Sequence, residues 1–350
     1  MSDSQRLVQC TVEACDALQP LVRALYDSLR GDGTTLKDDQ SVFTIADGLV
    51  QQLLKAHLLH ERVGAIVGEE DSADIVVSAP PYKVDSLVVP AQYDALIAGA
   101  RDALDRIRER LPLCASLTAF IDPIDGTREF STKLGEQCSI CVGYASADGR
   151  AFAGVVYRPL TTPPTFAAGC AADRFVMSRL DRAAAPSSGL LTSNGGISPY
   201  LEALMKELGV PRVKAGGCGN KVLMLLERKG AYYIQDRGVS RWDTCAAEAV
   251  LAAHGGLLGK LSSLLKHSGT CEPYTYKKSA TNLDFVPGLA KLTAYNATVA
   301  AQGAGGAVAE RVEHVKAYSN LCGLYAALSV DDVNGAACKA AADAAQPEFN

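Results

Sequence analysis

Acidic residues gather at three places where strand-like runs stop or helical ones start. They are Gly68-Glu69-Glu70-Asp71 after Ala65-Ile66-Val67, Asp122-Pro123-Ile124-Asp125-Gly126-Thr127 after the run at 116–121, and Trp242-Asp243 ahead of a Cys- and Ala-rich stretch. A fourth acid, Asp47, sits in TIADGLVQQLL, one turn into a helical pattern. Strand ends and helix starts are where α/β proteins build their sites. In the second motif Pro123 removes a backbone donor and fixes the turn. Asp122 and Asp125, three residues apart, can then converge on one side. Gly126 lets the backbone approach closely, and TREFSTKL can begin a helix whose N-terminal amides attract phosphate. Two hard oxygen ligands beside an anion seat suit Mg2+. A lone acid pair in a loop is ordinarily solvated, and Asp243 alone reads as a helix N-cap. The four together point to metal-assisted chemistry.

The elements that must position these acids follow from periodicity. Leu7, Cys10, Ala14, Leu18, Leu21, Leu25 and Leu29 recur at helical spacing, predicting a helix over 7–29 with a kink or break at Pro20. A second helix is expected over 44–60 and another over 91–110. Short strands are expected at 65–67 and 116–121, the latter ending at Asp122-Pro123. Strands at 138–146 and 151–157 flank Asp148-Gly149 and predict a hairpin. From 190 to 253 short strands alternate with helices, the pattern of an α/β domain. The stretch 260–309 is weakly patterned and reads as an insertion. A last strand near 323–329 and an Ala-rich helix close the chain. Two subdomains are expected: 1–185 with an insertion at about 72–112, and 186–350 with the insertion at about 260–309.

Composition narrows the function classes. The chain has 350 residues, 34 basic against 39 acidic, a net charge of −5, and is 48% hydrophobic. That is too apolar for a disordered chain, and the acidic balance argues against a nucleic-acid binder. No apolar run approaches the roughly 18 residues of a membrane span, and the N-terminus lacks the pattern of a signal peptide. The expectation is a cytoplasmic protein that partners neither membrane nor nucleic acid. Its eleven cysteines are scattered. Cys138 and Cys141 have CxxC spacing but fall in a strand, where residues three apart point to opposite faces. Buried thiols are the expected reading there, rather than zinc or redox chemistry.

GEED at 68–71, DPIDGT at 122–127 and WDTCAAEAVL at 242–251, with TIAD at 44–47 upstream, resemble the signature of the Mg2+-dependent, lithium-sensitive phosphomonoesterases. That superfamily includes inositol monophosphatase, inositol polyphosphate 1-phosphatase and 3′(2′),5′-bisphosphate nucleotidase. The resemblance spans roughly residues 40–260 and implies an α/β fold, a layered αβαβα sandwich of two subdomains with the site between them. It implies that Glu69, Asp122, Asp125, Asp243 and the Ile124 carbonyl hold metal, and that Glu70 joins or supports them. It further implies that Asp47, with the Thr127 hydroxyl, orients the attacking water, and that the Gly126 and Thr127 amides seat the phosphate. Two or three Mg2+ ions and inhibition by Li+ follow from the same resemblance.

The substrate is read from a second region. Lys214 to Lys221, KAGGCGNK, resembles the GGxGNK stretch of the bisphosphate nucleotidases. Gly219, Asn220 and Lys221 are therefore expected to bind substrate, with Lys221 near a second phosphate. The strand that carries a Ser-His pair in that branch reads Leu191-Thr192-Ser193-Asn194-Gly195-Gly196 here, with Ser193 but no histidine. The insertion after Gly255-Gly256 and the run Ser319-Asn320-Leu321-Cys322-Gly323-Leu324 look more like inositol polyphosphate 1-phosphatase. The expected activity is hydrolysis of the 3′(2′)-phosphate of bisphosphorylated adenosine nucleotides, with inositol 1,4-bisphosphate as the alternative or a second substrate. A non-catalytic metal- or polyphosphate-binding regulator is the remote third reading. A monomer with a small-molecule bisphosphorylated substrate is expected.

Overall fold

A computed structural model describes residues 1–29, 36–71, 73–237, 239–266, 269–277, 318–320 and 322–347; of residues 36–43 and 319 it describes the backbone alone. Helix α1 (Asp3–Ser28) starts at a capping box made by Ser2 and Gln5. It runs unbroken through Pro20, so the proline does not end the helix. Pro20 and Asp16, four residues earlier, both face solvent, so water can satisfy the carbonyl that Pro20 leaves without a donor. Leu18, Leu21, Val22 and Leu25 are meanwhile buried on the inner face. Helix α2 (Leu36–Leu53) continues as a π-helical turn, Leu54–Leu59, and α3 (Asp94–Arg108) packs beside it.

These helices cover one face of a six-stranded sheet. Its strands are β1 (Val63–Gly68), β2 (Cys114–Asp125), β3 (Ser139–Ala145), β4 (Ala151–Arg158), β5 (Thr165–Cys170) and β6 (Phe175–Arg179), in that spatial order. β1 is parallel to β2, and the rest form an antiparallel meander that contains the expected hairpin. On β2 the residues alternate: Leu117, Ala119 and Ile121 pack under α1 and α2, while Phe120 faces the other way. Helix α4 (Thr127–Ser131) is a single turn between β2 and β3.

A second sheet consists of β7 (Leu190–Thr192), β8 (Arg212–Lys214), β9 (Tyr232–Gln235), β10 (Leu257–Lys260) and β11 (Leu324–Ala327), in the order β8-β7-β9-β11-β10. Between the sheets lie α6 (Cys218–Leu226) and α7 (Arg241–Ala253). Val222, Leu223, Cys245, Ala246 and Val250 pack there against Cys141 and Val156 on one side and Leu191, Tyr233 and Ala326 on the other. The outer face of the second sheet is covered by α5 (Pro199–Leu208), α8 (Leu261–Lys266) and α9 (Gly335–Ala344). The result is helix, sheet, helix, sheet, helix, an α/β sandwich of five layers.

The middle layer sits close to the first sheet because of glycine. Gly143 and Gly154 are cross-strand partners. A Cβ on Gly143 would lie 2.4 Å from the Ala246 nitrogen, and one on Gly154 would lie 2.7 Å from the Ala246 oxygen. Helix α7 can therefore lie with its backbone on the strands. Residues 261–266 and 269–277 fall within the stretch read as an insertion, yet they contribute to the core: Leu261, Leu264, Tyr274 and Tyr276 are buried. The remainder of that stretch, 278–309, lies outside the described residues.

Candidate metal centre and active site

Parallel pairing brings the first two acid motifs together. Gly68 at the end of β1 is in register with Ile121 of β2, and the Glu69 N–H donates to the Ile121 carbonyl at 3.2 Å. Glu69 and Asp122, each one residue further on, are thus neighbours at the C-terminal edge of two parallel strands. The turn holding Glu69 is braced from α2. Gln51, 1% exposed, accepts from the Glu70 N–H at 2.9 Å. Asp71 turns back to accept from Gly68 N–H at 2.9 Å and from Lys55 at 2.8 Å. Asp71 is a fastener of the turn, while Glu69 is left facing the site. Gln51 was not singled out by sequence, because its role depends on Glu70, 19 positions away.

The second motif does not end its strand. β2 runs on through Pro123 to Asp125. Asp122 pairs with Cys141 and Asp125 with Ser139, so three steps on β2 oppose two on β3. That is a bulge, and it carries both aspartates to the same face. Asp125 accepts from Ser139 Oγ at 2.8 Å and from the N–H groups of Cys218 and Gly219 at 2.8 and 2.7 Å. Asp243 arrives from the middle layer. It is the third helical residue of α7 in a capping box with Ser240, rather than the N-cap, and one of its oxygens accepts from the Ser240 N–H at 2.6 Å.

Glu69, Asp122 and Asp243, from three elements, bring carboxylate oxygens within 4.8 Å of one another. Asp122 is buried and its Oδ1 has no hydrogen-bond partner, as is also true of Asp47 Oδ1. Burial first, and then the charges of Glu69, Asp125 and Asp243, push the Asp122 carboxyl well above the usual carboxylate range. Burial, with Glu69 and Glu70 behind it, does the same to Asp47, against a hydrogen bond from the Ile124 N–H. Converging carboxylates with unmatched buried oxygens fit a hard divalent cation, which would relieve both the repulsion and the unmet hydrogen-bonding capacity. The cluster can coordinate one such ion.

Residues 3–281 match the inositol monophosphatase family. The chain belongs to that family. Among curated relatives, the 3′(2′),5′-bisphosphate nucleotidase 1 of Rattus norvegicus is 27% identical over 271 residues, 72% of this chain and 79% of that one. The Mus musculus protein of the same name is 29% identical over 231 residues, 61% of this chain and 70% of that one. The fold is shared with inositol monophosphate-bound SaIMPase-II, at 11% identity and a TM-score of 0.50 over 96% of this chain and 95% of that one. Family membership and the carboxylate cluster together make this inositol monophosphatase family protein a Mg2+-dependent phosphomonoesterase. No helix among the described residues is long and apolar enough to cross a membrane.

Around the cluster, Thr127 is exposed at the start of α4, after Gly126, whose φ of 98° is a left-handed conformation suited to glycine. Glu129 on the same turn is buried and accepts from Asn194 at 2.8 Å, linking the two subdomains; sequence reasoning passed over it. Ser193 is exposed at the end of β7 and lines a cavity of about 120 Å³ with Asp236 and Arg237. The GGxGNK region is more inward than expected. Its Cys218 and Gly219 amides are occupied by Asp125. Asn220 donates to the Gly216 carbonyl and accepts from Arg158 at 2.8 Å. Lys221 is 4% exposed, with Nζ 3.5 Å from the Ala215 carbonyl and 4.8 Å from the centre of the Tyr233 ring. A carboxylate of the protein thus fills the helix N-terminus that the sequence offered to a phosphate. Cys138 packs with the α1 side of the sheet and Cys141 with the α6 and α7 side.

Proposed function

We propose that this protein removes the 3′(2′)-phosphate of 3′(2′),5′-bisphosphorylated adenosine nucleotides, giving AMP and phosphate. The observation that carries the phosphatase chemistry is the convergence of Glu69, Asp122 and Asp243 beside unpartnered oxygens of Asp47 and Asp122. Support for the nucleotide comes from the 27–29% identity to proteins named bisphosphate nucleotidase and from KAGGCGNK.

Glu69, Asp122 and Asp243 would hold the first Mg2+, with Asp125, Glu70 and the Ile124 carbonyl completing a site for one or two more. When bound, Mg2+ supplies a Lewis acid that lowers the pKa of water and offsets the charge of the phosphoryl oxygens. The residues of the chain do the positioning, which is most of what phosphoryl transfer needs. Asp47 keeps its unpartnered Oδ1 for the attacking water, whose proton it accepts. The Thr127 hydroxyl holds the same water from the other side. The Gly126 and Thr127 amides face the phosphate, and Lys221 supplies the charge for the second phosphate, since Asp125 already takes the Cys218 and Gly219 amides at the start of α6. Water oxygen bonds to phosphorus as the ribose oxygen leaves and takes up a proton.

A second reading, inositol 1,4-bisphosphate, is favoured by one feature. The end of β7 offers Ser193 and Asn194, polar groups suited to a polyol, with no histidine to meet an adenine ring. Phosphate release from 3′-phosphoadenosine 5′-phosphate and from inositol 1,4-bisphosphate, assayed side by side with Mg2+ and with or without Li+, separates the two. The nucleotide is expected to be the better substrate, with Li+ inhibiting. Preference for the inositol compound would overturn the nucleotide assignment.

A further inference from the structure

Arg241 is among the largest fully buried side chains of the molecule. It opens α7, two residues before Asp243. A cation there faces the positive end of the helix dipole and gives up its hydration, both of which are unfavourable. An apolar residue of similar volume would serve packing alone at least as well. What holds the arginine is directional. Its Nη1 donates to the Lys277 carbonyl at 2.6 Å, its backbone N–H donates to the Tyr318 carbonyl at 2.9 Å, and its guanidinium lies 5.8 Å from the centre of the Tyr318 ring.

Lys277 and Tyr318 are the described residues on either side of 278–317. One arginine therefore ties two chain segments that are forty residues apart to the first turn of α7. Neighbouring contacts repeat the pattern. Val239–Ser240 pairs antiparallel with Ser319–Asn320. Thr244, one turn on, accepts from Asn320 Nδ2 at 2.9 Å, and its hydroxyl lies 3.3 Å from that of Tyr276. Tyr276 also donates to Glu248 at 2.6 Å. Ser240, fixed by this pairing, is the residue whose N–H holds Asp243 Oδ2.

We propose that Arg241 is a positioning residue for the metal centre. By clasping residues 277 and 318 to α7 it fixes Ser240, and through Ser240 it fixes the carboxylate of Asp243. The inference rests on the reading of Asp243 as a metal ligand under the proposed function.

Mn2+ serves as the probe, because it takes the same oxygen ligands as Mg2+ and its free ion is counted directly by electron paramagnetic resonance. Arg241→Met is expected to weaken Mn2+ binding by about tenfold or more, the range typical when a group supporting a metal ligand is lost. Arg241→Lys, which keeps the charge and one donor, should recover part of it. In kinetics, the Mg2+ concentration for half-maximal activity should rise more than kcat falls. Asn320→Ala, which removes the donor to Thr244, should shift binding in the same direction by less, and it carries the test if Arg241→Met does not fold. Mn2+ affinity unchanged in folded Arg241→Met or, failing that, in Asn320→Ala would overturn the clasp, provided Asp243→Asn loses binding. If Asp243→Asn binds Mn2+ as the wild type does, the ligand reading itself falls and the positioning role goes with it.

Discussion

Asp122 and Asp125 are three residues apart on a strand, a spacing that ordinarily sends side chains to opposite faces. The bulge opposite Ser139 and Cys141 reverses that, and it is why both carboxylates look toward α6 and α7. Their roles then divide. Asp122 joins Glu69 and Asp243, while Asp125 accepts three hydrogen bonds and joins the α6 turn to the sheet. Lys221 lies behind that turn, where burial lowers its pKa and the charges of Asp125, Glu129 and Asp243 act against the fall. If it serves the second phosphate, Lys221→Ala should cut kcat/KM for bisphosphorylated substrates about ten- to a hundredfold more than for monophosphates, the worth of one charge-assisted hydrogen bond. Equal losses on the two substrate types would place Lys221 in the scaffold. Glu69, Asp122 and Asp243 were legible in the sequence because each follows or opens an apolar element. Gln51, Glu129 and the inward turn of Gly219 and Asn220 were not, since each depends on a partner 19 or more positions away: Glu70, Asn194, Asp125 and Arg158.

Among the elements, α7 does most to assemble the site, because it carries Asp243 and touches both sheets. Its seat is the pair Gly143 and Gly154, where a methyl group would meet helix backbone rather than a movable side chain. Gly143→Ala should therefore lower stability to urea unfolding by about 1–3 kcal/mol. Stability within a few tenths of wild type would mean that α7 can lift from the sheet without cost. Periodicity gave the strands β1 to β4 and the longer helices, but not β5, β6, β10 or α8. It left open whether Pro20 would break α1, because the solvent exposure of Asp16 and Pro20 is a tertiary fact. Nor did it show that Leu261, Leu264, Tyr274 and Tyr276 belong to the core, since the sequence around them has no regular apolar period. The five-layer order came from the family resemblance, since a pattern of short strands cannot say which faces meet.

For the whole molecule, a net charge of −5 is small, yet Asp47, Glu69, Glu70, Asp122, Asp125 and Asp243 carry six negative charges in the neighbourhood of one junction. Without a cation that crowding costs stability, and the pKa shifts give the sign. Asp47 and Asp122 are raised above their unfolded values, so they bind protons more tightly when folded. The stability this gives is fully present below the unfolded carboxylate pKa and is lost as pH rises through the folded one. Metal-free protein should thus melt lower at pH 8 than at pH 5, and added Mg2+ should raise Tm more at pH 8, where no proton has to be displaced. A Mg2+ effect on Tm that is equal at the two pH values would mean that these carboxylates do not bind the ion. The most direct test of the metal centre is Mg2+-dependent phosphate release by Asp122→Asn, a change of one oxygen to nitrogen at the buried middle of the cluster. At saturating Mg2+ the variant, still folded, should fall at least about a hundredfold below wild type. Activity equal to that of the wild type would contradict the assignment of Glu69, Asp122 and Asp243 as the site where the phosphate is hydrolysed.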